Sequence, residues 1–299
     1  MQPTNNSTPA EWTPSQLDAL VRLLADESDH IRRVAVSRLR EAGAVALVAA
    51  RECACRAEDA QVREAAAAFI RESGRSEIVA RWETFAGAAE VDLGEGAILI
   101  ASAEYPDLDA DRCRSQIEDI ASVLRRRLLA IRSVSTAVER INGLLFGELG
   151  FRGNRESYYD PRNSYINQVI ERRLGIPISL SVLYLLVSRR LGLPLDGVGM
   201  PGHFLLRFRE GRCATFLDPF NRGGIWSHQD CIAHLRNEGY GFREEYLRAV
   251  SDREILARML ANLLSIYHST QDEERTDRVS RMLAALRVES APPAADGAK

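Results

Sequence analysis

The chain has 299 residues, 45% of them hydrophobic and 27% charged, with a formal net charge of −3. That length suffices for two modest domains, and the balance is that of an ordinary globular protein. The two signs are interspersed, so no global field draws nucleic acid or an anionic membrane, and neither is expected as a partner.

No run reaches the ~20 apolar residues that span a bilayer. Met1–Trp12 has neither the basic start nor the apolar stretch of a signal peptide, so a cytoplasmic location is expected. The five cysteines (Cys53, Cys55, Cys113, Cys213 and Cys231) are odd in number and scattered, which points to reduced thiols. Cys53-x-Cys55 lacks a second ligand pair, and no His-x-x-x-His pair occurs. No metal and no cofactor are therefore expected.

Residues 1–13 are polar and are expected to be disordered. From Pro14 to about Ala80 the apolar period is helical: Leu17, Leu20, Val21 and Leu24, then Ile31, Val34, Ala35 and Leu39. Asp29-His30-Ile31-Arg32 is echoed by Asp59-Ala60-Gln61-Val62-Arg63, with Arg32 and Arg63 lying 31 residues apart. An acidic residue opening a helix, then an apolar-Arg pair and small residues, resembles HEAT-type repeats; a plain helical hairpin has the same faces.

Gly94-Glu95-Gly96 opens a further helical stretch that breaks at Glu104–Asp109. Helices are predicted at about 110–132 and 134–149, followed by a loop marked by Gly150, Gly153 and Asn154. A helix near Tyr165–Arg173 precedes one over 177–191, where proline suits the first turn and the apolar residues run nearly all round, the mark of a buried helix. The period then shifts to strands at 195–199, 203–208 and 214–217, the last two joined by a turn at Glu210-Gly211 as an antiparallel hairpin. Helices return from Gln229. In the last of them Ile255, Leu256, Met259, Leu260, Leu263, Leu264 and Tyr267 should face inward.

The block from Gly150 to Gly224, with its PGHF and LDPFN motifs, closely resembles a bacterial family labelled "regulator of sirC expression, with transglutaminase-like and tetratricopeptide-repeat domains". IASAEYPDLD upstream and DREILARMLANLLSIY downstream are similar too. The resemblance implies an α+β fold: a papain- or transglutaminase-like core, with a buried helix against an antiparallel sheet, flanked by all-α segments of repeat-like character. The expected organisation is 14–90 HEAT-like, 91–245 the core, 246–287 a tetratricopeptide-like hairpin and 288–299 a disordered tail.

In such a core a cysteine at a helix N-terminus has its thiolate favoured by the helix dipole, a histidine on the first strand takes its proton, and an aspartate on the next strand orients the histidine. His203 and Asp218 stand at opposite ends of one predicted hairpin, which brings them side by side. Taken singly, each also reads as a satisfied polar or turn residue. The first turn of the 177–191 helix has no cysteine. Ser179 is its nearest hydroxyl, either a nucleophile needing a base or a capping group. Cys213, one element away, reads as a core residue. Asn154, Arg155, Tyr158, Tyr159, Asp160, Arg162, Asn163 and, further on, Asn221 form a polar and aromatic set. They either line the mouth of a cleft or satisfy one another and nearby backbone.

The leading expectation is a cleft without catalysis, or at best weakly catalytic, that binds a peptide or protein partner with the help of the helical flanks and serves regulation. The first alternative is an amide or ester hydrolase or acyltransferase using Ser179, His203 and Asp218. The second is a structural adaptor acting through its helical flanks.

Overall fold

The computed structural model describes residues 12–129, 133–210 and 213–286. Their Cα positions divide the chain into two compact units, Met1–Ile78 and Val79–Lys299, so the residues just before 90 group with the core. Most of the segments expected to be disordered, 1–11 and 288–299, lie outside the described residues.

The first unit is built from α1 (Pro14–Arg22), α2 (Asp29–Ala42), α3 (Ala44–Arg56) and the start of α4 (Ala60–Ala86). Thr13 and Gln16 close α1 with reciprocal side-chain and backbone hydrogen bonds, which satisfy donors a helix start leaves open. The echo seen in the sequence has a local counterpart. Arg32 Nη1 donates to Asp26 O and Glu27 O, and Arg63 Nη1 donates to Ala57 O and Glu58 O, each arginine holding the turn that feeds its own helix. The core here is rich in small residues, with Ala35, Ala46, Ala50 and Ala66 among Leu17, Val21, Leu39 and Phe69.

The second unit is α+β. After α4 come α5 (Leu93–Glu104), α6 (Ala110–Arg127) and α7 (Val134–Asn142), the last continued by a π-turn over Gly143–Glu148. Two short parallel strands, β1 (Arg152–Gly153) and β2 (Leu174–Gly175), bracket α8 (Ile166–Arg172). Next are α9 (Pro177–Arg190), β3 (Leu195–Val198), β4 (Leu205–Glu210), β5 (Cys213–Asp218), β6 (Gly224–Trp226), α10 (His228–Asn237), β7 (Ala249–Val250), α11 (Asp252–Ser269) and α12 (Glu273–Ala285). The main sheet has the order β6-β5-β4-β3-β7 and is antiparallel throughout.

α9 is the centre of this unit. Every residue from Pro177 to Ser188 is buried, as its all-round apolar pattern requires, and it lies against β3, β4, α5, α6, α8 and α11. Each fully buried Leu, Ile or Val contributes roughly 1.5–3 kcal/mol relative to exposure. α5 begins earlier than its glycines suggest, because Asp92 caps it by accepting from Glu95 N. Gly96 lies inside this helix, and a Cβ there would come 2.4 Å from Leu256, so glycine permits the approach of α11.

Three expectations are corrected, and a fourth lies partly outside the described residues. The 134–149 helix is α only to Asn142, because the next turn widens to π geometry. His203 precedes β4 rather than opening it, held in a turn by His203 N donating to Met200 O. On α11, Ile266 is buried and Leu264 only partly, a slight rotation of the inward stripe. The turn expected at Glu210-Gly211 falls partly outside the described residues, although Glu210 pairs with Cys213.

Candidate functional site

The hairpin register sets the site. Leu206 pairs with Leu217, so the next position outward sets Leu205 beside Asp218, and His203 follows on the turn. Gly202 in that turn has φ 72°, a left-handed conformation that favours glycine.

Asp218 is fully buried, yet all its acceptor capacity is used. Oδ2 accepts from His203 Nε2 at 2.8 Å and Asn221 Nδ2 at 2.6 Å; Oδ1 accepts from Phe220 N at 3.0 Å and Asn221 N at 3.2 Å. Burial pushes its pKa up, but hydrogen bonds from His203 and Asn221 outweigh it and hold the carboxyl below the ordinary range. An ionised acceptor on Nε2 fixes the proton there, which leaves Nδ1 of a neutral ring as the basic nitrogen. The loop after Asp218 is pinned from behind: Asn142 Nδ2 donates to Gly223 O, and Tyr184 on α9 donates to Asn142 Oδ1.

Aromatic groups enclose the imidazole. Trp226 stacks on it with centroids 5.7 Å apart, Phe220 meets it edge-on at 6.4 Å, and the ring of His234 lies 5.4 Å away. Burial, then the neighbouring His203, push the pKa of His234 down. Arg258 Nη2 on α11 donates to Met200 O and, at 2.9 Å, to His203 O, tying both ends of the turn.

Ser179 is buried and turned elsewhere. Its Oγ donates to Asn163 O at 2.6 Å and accepts from Ile176 N at 3.0 Å, and it makes no hydrogen bond to His203. It thus satisfies the N-terminus of α9 from the third helical position. Among the described thiols, burial pushes Cys53 and Cys113 up and Cys231 to about 12, where Asp230 adds to the effect. None stands in the first turn of α9, and the side chain of Cys213 lies outside the described residues.

The loop before α8 is largely internally bonded. Asn154 Nδ2 donates to Asn163 Oδ1 at 3.1 Å, and Asn163 Nδ2 to Ser157 O at 2.7 Å. Asp160 accepts from the Arg162 backbone and from the side chains of Arg162 and Arg172. Arg155, Tyr158 and Asn221 reach the dyad instead. Arg155 Nη2 donates to Asn221 Oδ1, its guanidinium lies 5.2 Å from the Phe220 centroid, and Tyr158 meets Phe220 edge-on at 6.0 Å. Tyr159 is 74% exposed and touches Tyr158 at the rim.

The sequence reading missed Trp226, His234 and Arg258. Arg258 left a trace, being an arginine one position before Met259 and three after Ile255 on an apolar face. His234 and Trp226 left none. No group of three potential metal ligands occurs among the described residues. Grooves of about 460 and 810 Å³ lie in the first unit, lined by residues such as Val45 and Val48, and Arg40 and Phe69 respectively; neither adjoins the dyad.

Residues 111–261 match the family model of the transglutaminase-like superfamily. The chain is 43% identical over 191 residues to a "UPF0162 protein" of Xylella fastidiosa, covering 62% of this chain and 67% of that one. It is 32% identical over 178 residues to a "UPF0162 protein" of Vibrio cholerae, covering 58% of this chain and 66% of that one. It is 37% identical over 206 residues to human "F-box only protein 21", covering 58% of this chain and 32% of that longer protein. No solved structure matches.

Proposed function

The chain belongs to the transglutaminase-like superfamily, and from that premise we propose that it is a binding module: a cleft beside His203 and Asp218 that holds a peptide or protein segment without forming a covalent intermediate. One observation carries the proposal. The position where a nucleophile is needed holds no thiol, and its one hydroxyl, Ser179 Oγ, is fully buried and bonded to Asn163 O and Ile176 N. A serine is activated only by a base within hydrogen-bond reach, and His203 does not supply one there. The dyad then orients an imidazole for recognition, with Nδ1 accepting a hydrogen bond from a partner.

The helical flanks extend this reading. The echoed turns of the first unit are read as HEAT-like and the α11–α12 hairpin as tetratricopeptide-like, both offering surface to a partner and fitting the regulatory label of the resembled family. That a similar stretch recurs inside the much longer F-box only protein 21 supports a module joined to other parts. A cytoplasmic setting fits the same reading.

The test is labelling of the purified protein with a fluorophosphonate and with iodoacetamide, mapped by mass spectrometry, beside an assay for calcium-dependent crosslinking of glutamine to amines. We expect no fluorophosphonate adduct at Ser179 and no crosslinking. Turnover of an amide or ester, abolished by Ser179→Ala in a protein that stays folded, would replace this reading with the hydrolase.

A further inference from the structure

We propose that the segment received beside His203 is acidic, its carboxylates met by the guanidiniums of Arg258 and Arg155. This rests on the peptide-binding reading and gives the ligand its chemistry.

The chain as a whole does not favour anions, having 42 acidic against 39 basic residues. Elsewhere in the second unit several part-buried arginines have carboxylates, Arg189 with Asp252, Arg275 and Arg278 with Glu104, Arg172 with Asp160, while Arg253 and Arg173 donate to backbone carbonyls instead. Arg258 and Arg155 have no carboxylate among the described residues. Arg258 uses Nη2 for the two turn carbonyls, and no hydrogen bond from its Nε or Nη1 occurs among the described residues. Burial pushes its pKa down, and the groups that act against this are the phenols of Tyr158 and Tyr240 rather than a carboxylate. Arg155, at the exposed rim, donates only to the neutral amide of Asn221 and lies over Phe220.

These two cations flank one wall. Phe220 touches Tyr158 on one side and His203 on the other, Tyr158 is near enough to Arg258 for their charges to act on each other, and Tyr240 packs 3.5 Å from the Cβ position of Gly202. The acid beside His203, Asp218, is already committed to His203 and Asn221. A desolvated cation without a counter-charge gains most from a carboxylate, which a guanidinium fork grips through paired N–H groups, while the rings cover the aliphatic stem of a glutamate or aspartate. Two cations on an aromatic wall suit a short acidic stretch; a nucleic-acid backbone needs a longer basic track.

The experiment uses the full chain at low salt and follows the fluorescence anisotropy of three labelled hexapeptides, alternating alanine with glutamate, glutamine or lysine. The glutamate peptide is expected to bind at least tenfold more tightly than the glutamine peptide. Arg258→Gln and Arg155→Gln should each weaken the glutamate peptide fivefold or more, and by a larger factor than they weaken the glutamine peptide. Arg155→Gln keeps the test valid should Arg258→Gln fail to fold, because Arg155 is exposed. Equal binding of glutamate and glutamine peptides, preference for lysine, or glutamate binding that survives both substitutions overturns the acidic assignment and leaves the peptide-binding reading standing. Binding of none of the three overturns both. Displacement of the glutamate peptide by an equal concentration of oligodeoxythymidine also overturns the assignment, in favour of nucleic acid.

Discussion

The first turn of α9 and the start of β4 hold two polar clusters within one core, and they use their atoms differently. At α9, Ser179 Oγ is bonded wholly to backbone, to Asn163 O and Ile176 N. At β4, a carboxylate bonded on both oxygens holds an imidazole by one nitrogen and leaves the other for something else. The two clusters are alike in burial and differ in whether the central side chain keeps a polar atom uncommitted once the fold's own donors and acceptors are satisfied, a property that the buried Oγ atoms of Ser164, Ser181 and Ser188 also have.

Removing Asp218 should expose this difference most strongly. Asp218→Ala leaves His203, Asn221 and two backbone N–H groups without their acceptor, and should cost about 3–5 kcal/mol, the scale for breaking a buried pair. Urea unfolding measures it; a loss below about 1 kcal/mol would mean that water replaces the carboxylate and the site is open.

Ser179→Ala should cost less, about 1–3 kcal/mol, the desolvation penalty of the partners left unmatched. Ser179→Cys sharpens the point. In the native state its thiol should react with iodoacetamide far more slowly than exposed Cys55. Faster labelling at residue 179 than at Cys55 would turn the α9 cluster into a reactive site and erase the contrast.

The pH dependence separates the clusters further. The folded pKa of Asp218 lies below its unfolded value, so its contribution is present above about pH 4 and is lost as pH falls through the folded value. Asp218→Asn should therefore flatten the fall of the thermal midpoint below about pH 4, whereas Ser179→Ala should leave its slope unchanged.

The smallest effect is expected at His234, whose folded pKa is also lowered. For a histidine held neutral by the fold, stability is full above about pH 6.5 and declines as pH falls towards the folded value. His234→Gln should remove that shallow decline. A slope between about pH 5 and 6.5 that persists in the variant would assign it to another group.

Much of the core's framework was legible because it is written in short-range periods. The all-round apolar run from Ile178 to Val187 identifies a buried helix, and two aromatic-rich runs give the β4–β5 pairing whose register sets His203 near Asp218. The lack of a thiol in the first turn of α9 needs no structure at all. The π-turn after Asn142 was not legible, because its residues have the same apolar period as an α-helix.

What only the tertiary structure decided is which side chains from distant elements meet. His203 and Arg258 are separated by 55 positions, and Arg155 and Asn221 by 66; no local period encodes either approach. The same holds for the loop residues. Asn154, Asp160 and Asn163 turned inward to satisfy one another and nearby groups, while Arg155, Tyr158 and Asn221 turned towards the dyad, although all are similar polar or aromatic residues in sequence. Sequence determines which faces are apolar and where backbone must turn. The destination of a polar side chain depends on which donors and acceptors packing brings within about 3 Å, and that is settled only once the elements have closed on one another.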